Sequence, residues 1–144
     1  MADITNGPTV PRTPTATIVE DPDGTAVLHD ISCAVQFWDH SADVEELDAS
    51  TFCSPGATET GRVTDSLVIG LRWSDELYDT LNLLVGEVCL FEGLDNTGDT
   101  DVSQFRIRFG AVPFGRHEAG QLIDIELACA VLATPTRTTP TTAG

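Results

Sequence analysis

"DSLVIGLRWSDELYDTLNLLVGEVCLFEG", residues 65–93, is the stretch on which the fold turns. Leu67, Ile69 and Leu71 recur at every second position, the period of a half-buried strand. The pattern then changes. Ser74 offers an N-cap, and Asp75 and Glu76 fall in a first turn, where the positive end of a helix dipole favours acids. Leu77, Leu81 and Leu84 repeat with helical spacing, and Gly86 supplies the stop. "EVCLFEG" (87–93) returns to a strand pattern, so a single short amphipathic helix interrupts a β chain.

Strands extend in both directions from this segment. Downstream, "LDNTGDTDV" (94–102) reads as an acidic turn, and "SQFRIRFGAVPF" (103–114) sets Phe105, Ile107 and Phe109 against Gln104, Arg106 and Arg108. After "GRHEAG", "QLIDIELACAVL" (121–132) sets Ile123, Ile125, Leu127, Cys129 and Val131 against Asp124 and Glu126. Side by side, these two strands predict cross-strand ion pairs on a wet face. Upstream, "TATIVE" (15–20), "TAVLHDISCAVQFWD" (25–39), "DVEELDASTF" (43–52) and "RVTDSLVIGLRW" (62–73) read as four strands, the third unusually polar. Between the last two runs a loop from Phe52 to Arg62: Cys53, Ser54, Pro55, Gly56, Ala57, Thr58, Glu59, Thr60 and Gly61. The expected fold is all-β, an antiparallel sandwich or barrel with one short helix, over residues 15–133. The Thr-, Pro- and Gly-rich ends predict a flexible arm at 1–14 and a disordered tail at 134–144.

Composition narrows the function. The chain has 144 residues, 23 of them acidic, and its seven cations are all arginine, giving a net charge of −16. That balance excludes affinity for nucleic acid or an anionic membrane, since neutralising phosphate requires Lys or Arg. It is compatible with high solubility, with a salt-tolerant host, or with a surface past which DNA moves without sticking. "MADITNGPTV" has neither a basic n-region nor an apolar h-region, and no apolar run nears the ~20 residues of a membrane span, so a cytosolic protein is expected. Cys33, Cys53, Cys89 and Cys129 are widely spaced without a CxxC pair, which predicts free thiols rather than disulfides or zinc.

No catalytic constellation emerges. His29, His40 and His117 share no spacing, and GxSxG and HExxH are absent. In "DNTGDTD", Asp95, Thr97, Asp99 and Asp101 alternate as calcium ligands do, but the glycine comes too early and Arg106 stands at the twelfth position. Glu45, Glu46 and Asp48 include neighbours on opposite faces of a strand, a poor basis for a glycosidase pair. Trp38 and Trp73 end apolar strands and read as core or rim residues. The reading is of a non-enzyme without cofactor or metal.

The order of these elements resembles the tail tube (major tail) proteins of long-tailed bacteriophages, over about residues 25–133. Asp48–Phe52 loosely matches the family's "DVTTF"-like strand end, a helix is followed by a strand, and Val112-Pro113-Phe114 with Gly120–Asp124 stand in for the turn of the final hairpin. The resemblance implies a virion protein that assembles in the host cytoplasm into stacked, six-membered rings. The rings form a tail tube for DNA ejection, with tape measure, terminator and distal tail proteins as further partners and no membrane. It makes Phe52–Arg62 an inter-ring contact loop. Glu46, Asp48, Asp124 and Glu126 become candidate lining of an acidic lumen that DNA traverses without specific binding. A capsid decoration or tail terminator protein, or a disulfide-bonded β-sandwich binding module, are the alternatives.

Overall fold

The computed structural model describes residues 9–48 and 58–143, and the side chains of 44–64 lie outside the description. The elements are β1 (Thr15–Glu20), β2 (Val27–Asp30), β3 (Val35–Asp48), β4 (Thr58–Arg72), α1 (Asp75–Asn82), β5 (Val88–Leu94), β6 (Val102–Arg108), β7 (Asp124–Val131) and β8 (Thr136–Thr138). All pairings are antiparallel, in the order β2-β1-β5-β6-β7-β4-β3, with β8 beside β6. This is one curled, open sheet rather than two separate ones. The curl falls between β6 and β7, which pair only at Ile107↔Val131 and Arg108↔Ala130.

The alternating apolar residues face the inside of the curl. Leu67, Ile69 and Leu71 of β4, with Ile125, Leu127 and Cys129 of β7, meet Ile18 of β1, Phe91 of β5 and Phe105 and Ile107 of β6 in one buried cluster. Burying each large side chain is worth about 1.5–3 kcal/mol. Trp38 bridges the two halves from the edge strand β3, edge-on to Phe91 at 5.9 Å and to Phe105 at 5.5 Å. Leu81 and Leu84, from α1 and the turn after it, join the same cluster. Ser74 caps the helix as expected, its hydroxyl oxygen accepting from the Leu77 N–H at 3.2 Å. Gly86 takes a φ of 83° and donates its N–H to Phe109 O.

Four expectations change. The 25–39 run is not one strand: Asp30 accepts from both the N–H and the hydroxyl of Ser32, building an Asx-type turn through Ile31–Ala34. Those two hydrogen bonds hold the Asp30 carboxyl below its ordinary value. Cys33 therefore lies exposed in a turn. The 43–52 run is not separate either, because its first part continues β3, and an irregularity between Val35 and Phe37 turns Phe37 outward and Trp38 inward. The proposed ion pairs between the last two strands do not form, since those strands diverge. Arg106 instead pairs with Asp23, Arg108 donates to Gly86 O, and Asp124 faces Arg72 of β4.

The fourth change is at the C-terminus, where β8 pairs with Val102–Gln104 within the stretch expected to be disordered. Beyond it, Thr141 crosses to Glu92, a β5 carboxylate only 4% exposed. The Glu92 carboxylate accepts from the Thr141 hydroxyl at 2.8 Å, from the Thr141 N–H and from the Gln104 amide at 2.7 Å. The end of the N-terminal arm is also tied down, with Arg12 N–H donating to Asn96 Oδ1 and Thr97 N–H to the Thr13 hydroxyl.

Candidate assembly surfaces

The longest pairing in the molecule is the β3–β4 hairpin, which runs from Val35↔Leu71 to Asp48↔Thr58. β7 covers β4 only from Ser66 to Arg72. Residues 58–65 of β4 therefore pair with β3 alone, as a ribbon reaching about 25 Å past the sheet at ~3.3 Å per residue. Of the expected contact loop, Thr58–Arg62 belong to β4 and lie in the part of the ribbon furthest from the sheet, while Phe52–Ala57 lie outside the described residues.

Because paired residues share a face, the register defines the surface turned away from the core. β3 contributes Phe37, Asp39, Ser41 and Asp43; β4 contributes Gly70, Val68 and Ser66; β7 contributes Asp124, Glu126, Ala128 and Ala130. Asp39, Asp43, Asp124 and Glu126 are all exposed there. Among the described residues Arg72 is the cation beside them, 3.4 Å from Asp124. With its amide turned to satisfy both neighbours, Gln36 accepts from Arg72 at 2.8 Å and donates to Asp124 at 3.3 Å. The result is an acidic surface with small residues at its centre. Two of the four sequence candidates, Asp124 and Glu126, are on it. Glu46 and Asp48 lie further along β3, in the ribbon, where side chains are not described. Asp39 and Asp43 were missed. Their signal was alternation with Phe37, legible only if 35–48 is read as one strand.

Among the described residues, β2 and β3 each have one edge without a strand partner. Where the sheet stays open between β1 and β3, a cleft of about 300 Å³ is lined by Pro11, Pro14, Ala16, Val35, Phe37 and Trp38. His29 contacts Glu20 at 2.9 Å and His40 contacts Asp65 at 3.1 Å. Burial pushes the Cys89 thiol up to about 11, with the Glu20 and Glu87 charges adding to it, and burial also raises Cys129. Cys33, Cys89 and Cys129 are free. Among the described residues no three His, Cys, Asp or Glu side chains converge as a metal site, and no helix is long and apolar enough to cross a membrane.

No family model and no curated protein matches this sequence. Solved structures do. One is a chain in the virion of a native gene transfer agent particle, 18% identical, matched over 86% of this chain and 95% of that one with a TM-score of 0.57. Another is a chain in the tail of an empty gene transfer agent particle of C6 symmetry, 20% identical, matched over 85% and 95% with a TM-score of 0.54. This chain shares their fold. The antiparallel β architecture with one short helix, expected from the strand alternation and the single helical segment, is the architecture observed.

Proposed function

We propose that this protein is a structural tail protein of a phage-like particle, and specifically the tail tube subunit. The observation that carries the reading is the likeness of fold, over nearly the full length of both chains, to a protein in a tail of C6 symmetry. On this reading, six copies close a ring, rings stack into a tube in the virion tail, and assembly takes place in the host cytoplasm. Ring closure removes the open β2 and β3 edges, which on a lone subunit invite uncontrolled pairing. The face carrying Asp39, Asp43, Asp124 and Glu126 lines the lumen. There it repels phosphate, so that DNA slides rather than binds. The ribbon, whose projecting part includes Thr58–Arg62, reaches the adjacent ring, with Phe52–Arg62 as the inter-ring contact segment. Tape measure, terminator and distal tail proteins are the expected partners, and the role is non-enzymatic.

Negative-stain electron microscopy of the purified protein over a concentration series tests this. Hollow tubes or stacked rings are expected. Trimers on a shell, or a single ring that never stacks, would overturn the tube assignment in favour of a decoration or terminator protein.

A further inference from the structure

The end of the molecule opposite the ribbon carries an aromatic surface that the proposed function does not use. The 15-residue connection from β6 to β7 (residues 109–123) folds back over the start of α1, so that Phe114 stacks on Tyr78 with ring centres 4.8 Å apart and planes 16° apart. Trp73 packs edge-on to His117 at 5.0 Å and lies 6.1 Å from Tyr78. The fold-back is built in. Gly115 has a φ of 73°, and a side chain there would come within 2.7 Å of Ile125. The Phe114 carbonyl also contacts the His117 ring nitrogen at 2.8 Å. Despite this ordering, Phe114 is 59% exposed and Trp73 Nε1 has no hydrogen-bond partner among the described residues. Arg116 sits at the rim with its side chain 86% exposed, its contact being Glu118 at 3.4 Å.

A rigid aromatic centre with an arginine rim has the composition of an interaction hot spot. We infer that this platform is the receptor for the β3–β4 ribbon of a second copy, an inference that rests on the self-assembly reading. Two observations select this occupant. The ribbon leaves the sheet beyond Ser66, whereas the platform adjoins Arg72 and Asp124 at the other end of the same strands. Copies aligned head to tail therefore bring ribbon to platform, a contact that repeats without closing on itself. Charge fits as well: the ribbon sequence carries Glu45, Glu46, Asp48 and Glu59, while Arg116 is a cation on a chain of net charge −16. Between copies that otherwise repel, a contact focused on such a cation is favoured.

The test places benzoylphenylalanine at position 114 in the full-length chain, irradiates assembled particles and maps the cross-linked peptides. Cross-links from position 114 to residues 41–65 of another copy are expected. Cross-links to any other segment, or none, would overturn the inference while leaving tubes, and hence the proposed function, intact. If the unsubstituted protein forms no particles, the proposed function itself fails. In parallel, Arg116→Glu should raise the concentration needed for assembly about tenfold or more. Adding Glu59→Arg should restore it. Near-ultraviolet circular dichroism confirms that the variants are folded. Unchanged assembly by Arg116→Glu, or failure of the charge swap to rescue, counts against the ribbon as occupant.

Discussion

The ring of Phe37 lies over Gly70, where a β-carbon on Gly70 would meet its Cε1 at 2.1 Å; one step away across the core, Trp38 occupies the space above Gly93, 2.8 Å from where that β-carbon would stand. The two contacts look alike and differ in consequence. Phe37 is 43% exposed, so its ring has room to swing into solvent. Trp38 is held between Phe91 and Phe105 and has none. Gly93→Ala should therefore cost about 1–3 kcal/mol through overpacking. Gly70→Ala should cost less than about 1 kcal/mol. Urea unfolding of both variants checks this, and equal losses would refute it.

The thiols should sort by burial. In a Cys53→Ser background, iodoacetamide should label Cys33 in the native protein, and Cys89 and Cys129 only after unfolding, because the thiolate is the reacting species and burial suppresses it. Peptide mapping by mass spectrometry reads the result. The same shift predicts a pH dependence. Folding raises the Cys89 pKa from 9.0 to about 11, so above about pH 9 the unfolded chain loses a proton that the native one keeps. Stability from this group is full below pH 9 and declines as pH rises towards 11. A Cys89→Ala variant should lose that part of the alkaline slope.

Glu92 is a buried carboxylate with no cation paired to it among the described residues, held by donors from Gln104 and Thr141. Gln104→Leu removes one donor and should cost about 1–3 kcal/mol. Deleting residues 139–144 uncovers Glu92 to water, which replaces the lost donors. The Gln104→Leu penalty should therefore shrink in the truncated chain, and a double-mutant cycle by chemical denaturation measures that coupling. Additive losses would mean that the C-terminal strap and Gln104 act independently.

If the outward face of β3, β4 and β7 lines a channel, its sign matters more than its shape. Asp39→Lys with Glu126→Lys places cations on exposed positions and leaves the core untouched. Assembled wild-type protein should retain no DNA at low salt, whereas the double variant should retain it and release it as salt rises. DNA retention indifferent to these substitutions would remove this face from the lumen.

What was legible in the sequence is the part governed by local rules. The cap at Ser74, the leucine spacing of α1 and the two-residue periods of β4 and β7 are each set by neighbours within a few positions, and the fold class followed from them. What escaped depended on pairing at a distance. The 31–34 turn interrupts an apolar alternation that looked continuous, because the bond that makes it, Asp30 to Ser32, resembles ordinary polar spacing. The length of β3 was hidden by its acidic half, which needs no buried face once it leaves the sheet. The tail at 136–138 has no apolar pattern, and β6 holds it through backbone pairing that composition does not record. The platform residues Tyr78 and Phe114 lie 36 positions apart in the sequence, and only the fold-back at Gly115 brings them together.

That separation of local from long-range determinants allows the ribbon to be tested apart from the fold. Asp48 and Thr58 are a paired position, so residues 49–57 can be replaced by Asn-Gly, the two-residue connection whose twist suits antiparallel strands. The core lies between Leu67 and Leu71 on β4, beyond the replaced segment, and none of the buried cluster is removed. Thermal unfolding should thus change little, within about 1 kcal/mol of the parent. Assembly should be lost, because the tip no longer reaches the next ring while the sheet edges that close a ring remain. Isolated rings, or unassembled subunits with a native melting profile, are the expected products in electron microscopy. Normal tubes from this variant would show that rings stack without the tip, and the stacking contact would then have to be sought on the acidic face or the open cleft beside Trp38.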